Sequence, residues 1–214
     1  MTTFLKAAMT FALSLTLAFA APLALAQELA PDALVKTISE DVLAAIRQDK
    51  DIQAGNPKKI ASLVEAKILP HFDFAHTTRI AMGANWRRAS PEQREQLTRE
   101  FRTLLVRTYS RALVNYRDQA IEFKPLRAQP GDVQVTVRSE VRQAAAQAVS
   151  FDYEMEKTPS GWKVYDVKIG GASLAATYRD TFAEEVRNRG IDGLINLLSE
   201  KNRQHNARPA SVNT

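Results

Sequence analysis

The chain has 214 residues, no cysteine, 29 basic against 24 acidic side chains and a formal net charge of +5. The lack of cysteine excludes disulfide stapling, thiolate catalysis, a lipidated cysteine and cysteine-based metal sites. The length suits one domain of about 100–200 residues held by core packing alone. For an exported chain the mild positive balance points to anionic lipid headgroups or an acidic partner surface, not to nucleic acid.

The N-terminus reads as a leader. Lys6 and the free amino group supply positive charge, Ala7 to Ala21 is an uncharged apolar run, and Ala24-Leu25-Ala26 fits the small-x-small cleavage rule. A membrane anchor needs about 20 apolar residues, and this run is shorter. The expectation is a signal peptide over residues 1–26, cleaved after Ala26, and a soluble periplasmic protein that is not integral to a membrane.

The N-terminal half has helical periodicity. Behind Pro31, Leu34, Val35, Ile38, Val42, Leu43 and Ile46 recur on one face. Gly55-Asn56-Pro57 ends that helix and caps a second, with Ile60, Leu63, Val64 and Ile68 on one side and Pro70 at its close. A short third helix from about Asp73 stops near Gly83 and leaves Trp86 in the connection. Ser90-Pro91-Glu92-Gln93 is a capping-box start. The longest helix follows, carrying Leu97, Phe101, Leu104, Leu105, Thr108, Ala112, Leu113 and Tyr116 on one stripe. Arg94, Arg99, Arg102 and Arg117 lie on its other face, read as a solvated surface or a docking face.

After Asp118 the period changes to two. Ile121 and Phe123 begin a strand that Pro125 restricts to an edge or a bulge. Beyond the Pro130-Gly131-Asp132 turn, Val133, Val135, Val137 and Val141 alternate with polar residues, as do Val149, Phe151, Tyr153 and Met155. Thr158-Pro159-Ser160-Gly161 turns into a strand from Trp162 to Val167. This is an antiparallel meander with one apolar and one wet face. Gly170 to Ser173 forms a corner, and a helix from Ser173 carries Leu174, Tyr178, Phe182 and Val186, with Leu174, Tyr178 and Phe182 facing the sheet. Gly190 interrupts it before a last helix with Ile191, Leu194, Ile195, Leu197 and Leu198. The organisation is one α+β domain over residues 27–202 and a flexible tail over 203–214.

Groups suited to catalysis are sparse. His71-x-Asp73-x-x-His76 is the one cluster of metal-ligand types, but residues five apart diverge on a helix, and Asp73 reads as a cap. No serine sits in a G-x-S-x-G elbow. Ser173 reads as a helix N-cap. The expectation is a protein that is not an enzyme, with no catalytic residue and no metal. Periodicity alone leaves a filled core and a lined cavity as open alternatives.

Several short motifs recur in order: Leu69-Pro70-x-x-Asp73-Phe74, Gly83-x-x-Trp86, Gln93 with Phe101, Leu104-Leu105 and Thr108-Tyr109. They continue through Gly161-Trp162-Lys163-Val164-Tyr165-Asp166-Val167, Ser173-Leu174, Tyr178-Arg179-x-x-Phe182 and Gly190-Ile191-x-Gly193-Leu194. In this succession, from about Asp32 to Asn202, the chain resembles the MlaC or toluene-tolerance family of periplasmic phospholipid-binding proteins. It departs at Gly170-Gly171-Ala172-Ser173-Leu174, where the family's usual motif is E-G-V-S-L. The resemblance implies an α+β fold of NTF2-like or MlaC-like type: a curved antiparallel β-sheet of about four strands cupped by helices, with an apolar cavity between sheet and helices. It also implies no cofactor, phospholipid as cargo, and two membrane partners. These are an outer-membrane lipoprotein–porin complex and an inner-membrane ABC transporter with its substrate-binding subunit, between which lipid would pass to maintain outer-membrane asymmetry.

The face assignments within these elements give the expected lipid-binding residues: Phe101, Leu105, Tyr109, Val135, Val137, Phe151, Tyr153, Val164, Leu174 and Tyr178. The alternative is a lipid-free periplasmic adaptor with a packed core. An NTF2-like hydrolase would need a polar catalytic cluster that the sequence lacks.

Overall fold

The structure, a computed structural model, describes residues 29–116, 119–142 and 147–207, without the side chains of Tyr116 and residues 205–207. The expected leader, Arg117 and residues 208–214 lie outside these.

Three helices open the chain: α1 (Pro31–Gln48), α2 (Lys50–Gln53) and α3 (Pro57–Lys67). Local chemistry sets each start. Pro31 and Pro57 occupy first-turn positions, where a missing N–H leaves no bond unmade. Asp49 and Asn56 accept backbone N–H groups at the starts of α2 and α3. After a tight turn over Leu69–His71, Asp73 caps α4 (Phe74–Met82) by accepting from His76 N at 2.8 Å. Gly83 ends α4 with φ +53°, in the left-handed region.

Ser90 and Gln93 form the reciprocal capping box of α5 (Pro91–Tyr109). The expected single helix to Tyr116 divides here: from Ser110 to Tyr116 the chain tightens into a 3-10 turn. Thr98, Thr103 and Thr108 each turn a hydroxyl onto the carbonyl four residues back, and Ser110 does the same to Val106. Such back-bonds bend and weaken a helix.

The sheet is a five-stranded antiparallel meander in chain order: β1 (Ala120–Phe123), β2 (Gln134–Arg142), β3 (Val149–Thr158), β4 (Gly161–Ile169) and β5 (Ala172–Ser173). The strand ending before Pro125 is at the edge. Cross-strand rows fill the apolar face, with Val137, Tyr153 and Val167 in one row and Val135, Met155 and Val164 in the next. Val164 and Val167 are three apart, an odd spacing for one face. A bulge reconciles them: Met155 pairs with Val164 and Glu154 with Asp166, leaving Tyr165 unpaired. Asp73 N and the Thr77 hydroxyl bond the carbonyls of Val164 and Tyr165, so the bulge is fastened to the start of α4.

Two expectations are corrected in this region. Val133 is not on the packed face; it precedes β2 and is 63% exposed. No helix begins at Ser173 either. That residue closes β5, its hydroxyl accepts from Ala176 N at 2.9 Å, and α6 (Arg179–Ala207) starts only after a turn over Ala176–Tyr178. Gly190, at φ +72°, breaks α6 as its sequence position suggests. The helix runs to Ala207, into the segment expected as a tail.

The core has three parts. Val35 of α1 packs on Val135, Val137, Met155 and Val164 of the sheet. Val42, Ile46, Ile52, Ile60 and Val64 join α1, α2 and α3. Met82, Leu97, Phe101, Phe182, Val186, Leu194 and Leu198 bind α4, α5 and α6 together. Of the three residues expected to face the sheet, Tyr178 and Phe182 instead meet the ring of Phe101 edge-on, each at 5.0 Å.

Candidate lipid cavity

A cavity of about 160 Å³ lies where the three core parts meet. Val64 of α3 and Ile68, Leu69 and Phe72 of the following turn form one wall. Phe74 and Thr77 of α4 lie beside them; Leu105, Val106 and Tyr109 of α5, with Ser110 and Leu113, form a second wall. Asp166 and Val167 of β4 and Leu174 complete the lining. A larger depression beside Lys124, Arg127 and Arg138 is lined in good part by charged side chains.

Each wall has a local cause. Phe72 and Phe74 flank the cap residue Asp73, and their rings stack at 5.6 Å. Leu105, Tyr109 and Leu113 are spaced four apart, which keeps them on one side while the helix lasts. Val167 reaches the cavity because the bulge at Tyr165 returns the strand to the apolar face. Leu174 is held by its N–H, which donates to Val167 O at 2.9 Å.

Thr77, Ser110 and Asp166 of the lining are engaged with nearby backbone. The Thr77 hydroxyl lies 2.8 Å from the carbonyls of both Asp73 and Tyr165. Ser110 donates to Val106 O. Asp166, 6% exposed, accepts from Val167 N at 2.9 Å and Ala175 N at 3.2 Å. Behind Tyr109, burial together with the neighbouring Tyr109 phenol raises the pKa of Tyr178 to about 12. Burial also pushes the Tyr153 phenol up. Both phenols stay neutral at ordinary pH. Among the described residues no group of His, Asp or Glu side chains could hold a metal ion. The arrangement can hold apolar matter.

Of the ten residues expected to bind lipid, Leu105, Tyr109 and Leu174 line this cavity. Val135, Val137, Tyr153 and Val164 lie in the packing between sheet and α1, and Phe101 and Tyr178 in the helical core. Phe151 sits on the same sheet face, opposite Ser139 and Ile169, away from the cavity lining. Val64, Ile68, Leu69, Phe72, Phe74, Val106 and Leu113 also line the cavity and are not among the ten expected residues. The available signal was the Leu69-Pro70-x-x-Asp73-Phe74 motif, which places two aromatic rings at a helix start. His76 stacks on Tyr165 at 4.1 Å, and its Nδ1 lies 2.7 Å from Glu156 Oε1.

The model of the family described as "MlaC protein" matches residues 36–200. The chain is 25% identical over 179 residues to the toluene tolerance protein ttg2D of Pseudomonas putida, covering 83% of each chain. It is 23% identical over 176 residues to the intermembrane phospholipid transport system binding protein MlaC of Haemophilus influenzae, covering 81% of this chain and 82% of that one. It also resembles a phospholipid-binding protein of Ralstonia solanacearum whose structure was solved in complex with a phospholipid. That likeness has 46% identity, a TM-score of 0.75 and coverage of 82% of this chain and 98% of the other.

Proposed function

The chain belongs to the MlaC family, and on that premise we propose that it carries phospholipid through the periplasm between outer- and inner-membrane complexes, with the acyl chains in the cavity that Leu174 lines. It is a phospholipid-binding transport protein, as its family and its phospholipid-bound structural relative indicate. The observation that carries the cargo site is an apolar cavity in which Thr77 and Asp166 are hydrogen-bonded to adjacent backbone. Among the described residues no helix is long and apolar enough to cross a membrane.

The energetics favour a carrier. Two acyl chains expose roughly 30 methylenes, and at about 0.8 kcal/mol each their transfer into water costs on the order of 24 kcal/mol. Free diffusion of a lipid across an aqueous gap is closed by that barrier. A bilayer is as apolar as the cavity, so extraction gains little net free energy, and loading calls for a partner that opens the cavity. Volume points the same way. The cavity's 160 Å³ is below the roughly 300–1,000 Å³ of ordinary small-molecule pockets. Cargo must therefore part the walls, and 3-10 turns interrupt two of them, at Leu69–His71 and from Ser110. The two partners are an outer-membrane lipoprotein–porin complex and the substrate-binding subunit of an inner-membrane ABC transporter.

Native mass spectrometry of protein purified without added lipid tests the reading. Wild type should carry phospholipid; Leu174→Trp, which fills the cavity, should fold and carry little. Wild type that is empty and takes up no lipid from vesicles would make the chain a packed adaptor instead.

A further inference from the structure

We infer that Arg102 is a phosphate-binding residue at the rim of the cavity, holding the headgroup phosphodiester of the cargo; this rests on the phospholipid reading above. Phe74 makes the connection. Its ring lines the cavity, and the Arg102 guanidinium carbon lies over that ring, 5.8 Å from its centroid. On α5, Arg102 comes three and four residues before Leu105 and Val106, which line the same cavity. It therefore continues their helix face by one turn, at the point where the apolar lining gives way to charge.

Arg102 is also available. It is exposed, and among the described residues no carboxylate lies within ion-pair distance of it. Arg99, one turn earlier, is already paired with Glu95. A guanidinium resting on an aromatic face keeps its in-plane N–H donors free at the edge, the geometry that takes two oxygens of a phosphate at once. Stacking on Phe74, itself backed by Phe72, restrains the side chain before ligand arrives. An acyl chain lying against Phe74 would leave its glycerol and phosphate beside the guanidinium. The cavity thus takes the chains and Arg102 the one group common to all phospholipids, a specificity for phosphate and not for the alcohol beyond it.

The test uses delipidated full-length mature protein, with binding measured against vesicles containing either phosphatidylglycerol or a diacylglycerol of the same acyl chains. Arg102→Gln should weaken phosphatidylglycerol binding about tenfold or more, the usual effect of losing a charge-assisted hydrogen bond, and leave diacylglycerol binding unchanged. Arg102→Lys should recover part of the loss, and Arg87→Gln, an exposed arginine outside the cavity lining, should resemble wild type in both assays. Inorganic phosphate alone forms the third arm. If it saturates wild type at millimolar concentration in an Arg102-dependent way and without lipid, the residue serves free phosphate and the headgroup assignment falls. Equal loss of both lipids in Arg102→Gln, or loss of neither, also overturns it. Failure of wild type to bind any lipid would instead sink the carrier reading on which the inference rests.

Discussion

The buried carboxylate of Asp166 accepts a hydrogen bond from Ala175 N at 3.2 Å, joining the bulge of β4 to the turn that follows β5. Leu174, the residue before Ala175, lines the cavity, so one side chain sets the position of a wall it belongs to. Ala175 is fully buried and leaves its N–H no access to water. Asp166→Ala should destabilise the protein by about 1–3 kcal/mol, the usual penalty for an orphaned buried donor. Asp166→Asn, which keeps an acceptor, should lose less. Urea denaturation of the two variants reads the difference, and an Ala variant as stable as wild type would show that the corner holds without this bond.

Gly170 and Gly171, at φ +58° and +85°, form the two-residue turn between β4 and β5, with both central residues left-handed as a type I′ turn requires. A side chain added at either would meet no atom within 4 Å, so any penalty comes from the backbone alone. Gly171→Val should destabilise by roughly 1–2 kcal/mol, whereas Gly170→Asn should be nearly neutral because asparagine tolerates this conformation. Thermal denaturation of both variants should rank them in that order.

Phe101 is fully buried beneath the edges of Tyr178 and Phe182, in the helical core and not in the cavity. Phe101→Ala should destabilise by about 3–5 kcal/mol. The fraction of molecules that remain folded should still carry phospholipid, read by native mass spectrometry. A stable Phe101→Ala variant that has lost its lipid would move the cargo site towards α6.

His71 lies on the turn beside the cavity wall, and partial burial, followed by the charge of Lys163, holds its pKa below the ordinary 6.5. In the pH window below 6.5 the unfolded chain therefore takes up a proton before the folded one. Stability should be highest above that pH and fall on acidification. His71→Gln should have a shallower decline over the same window, measured as urea midpoints at a series of pH values. Identical pH profiles would show that this histidine does not couple protonation to folding.

Much of the architecture is legible along the chain because it is set by neighbours. The caps at Asp73 and Ser90, the stop at Gly83 and the break at Gly190 depend on residues within four positions, and each is where its residue type suggests. The end of α5 was harder. Its apolar stripe continues past Tyr109, and only the accumulated hydroxyl back-bonds distinguish the stretch that tightens. Of the site, Leu105, Tyr109 and Leu174 could be read from periodicity, but equally apolar Val135, Val137 and Phe101 are consumed by packing elsewhere.

Motif order and the alternation of apolar residues were enough by themselves to determine the family and an α+β chain with a meandering sheet. These are properties of spacing, and spacing survives in one dimension. Tertiary structure alone decided which apolar faces touch and which leave a gap, because burial is non-directional and any two stripes satisfy it equally. It also decided the Tyr165 bulge that brings Val167 inward, and the placement of Arg102 over Phe74, whose partners are 28 positions apart in sequence and adjacent only once α4 has folded back on α5.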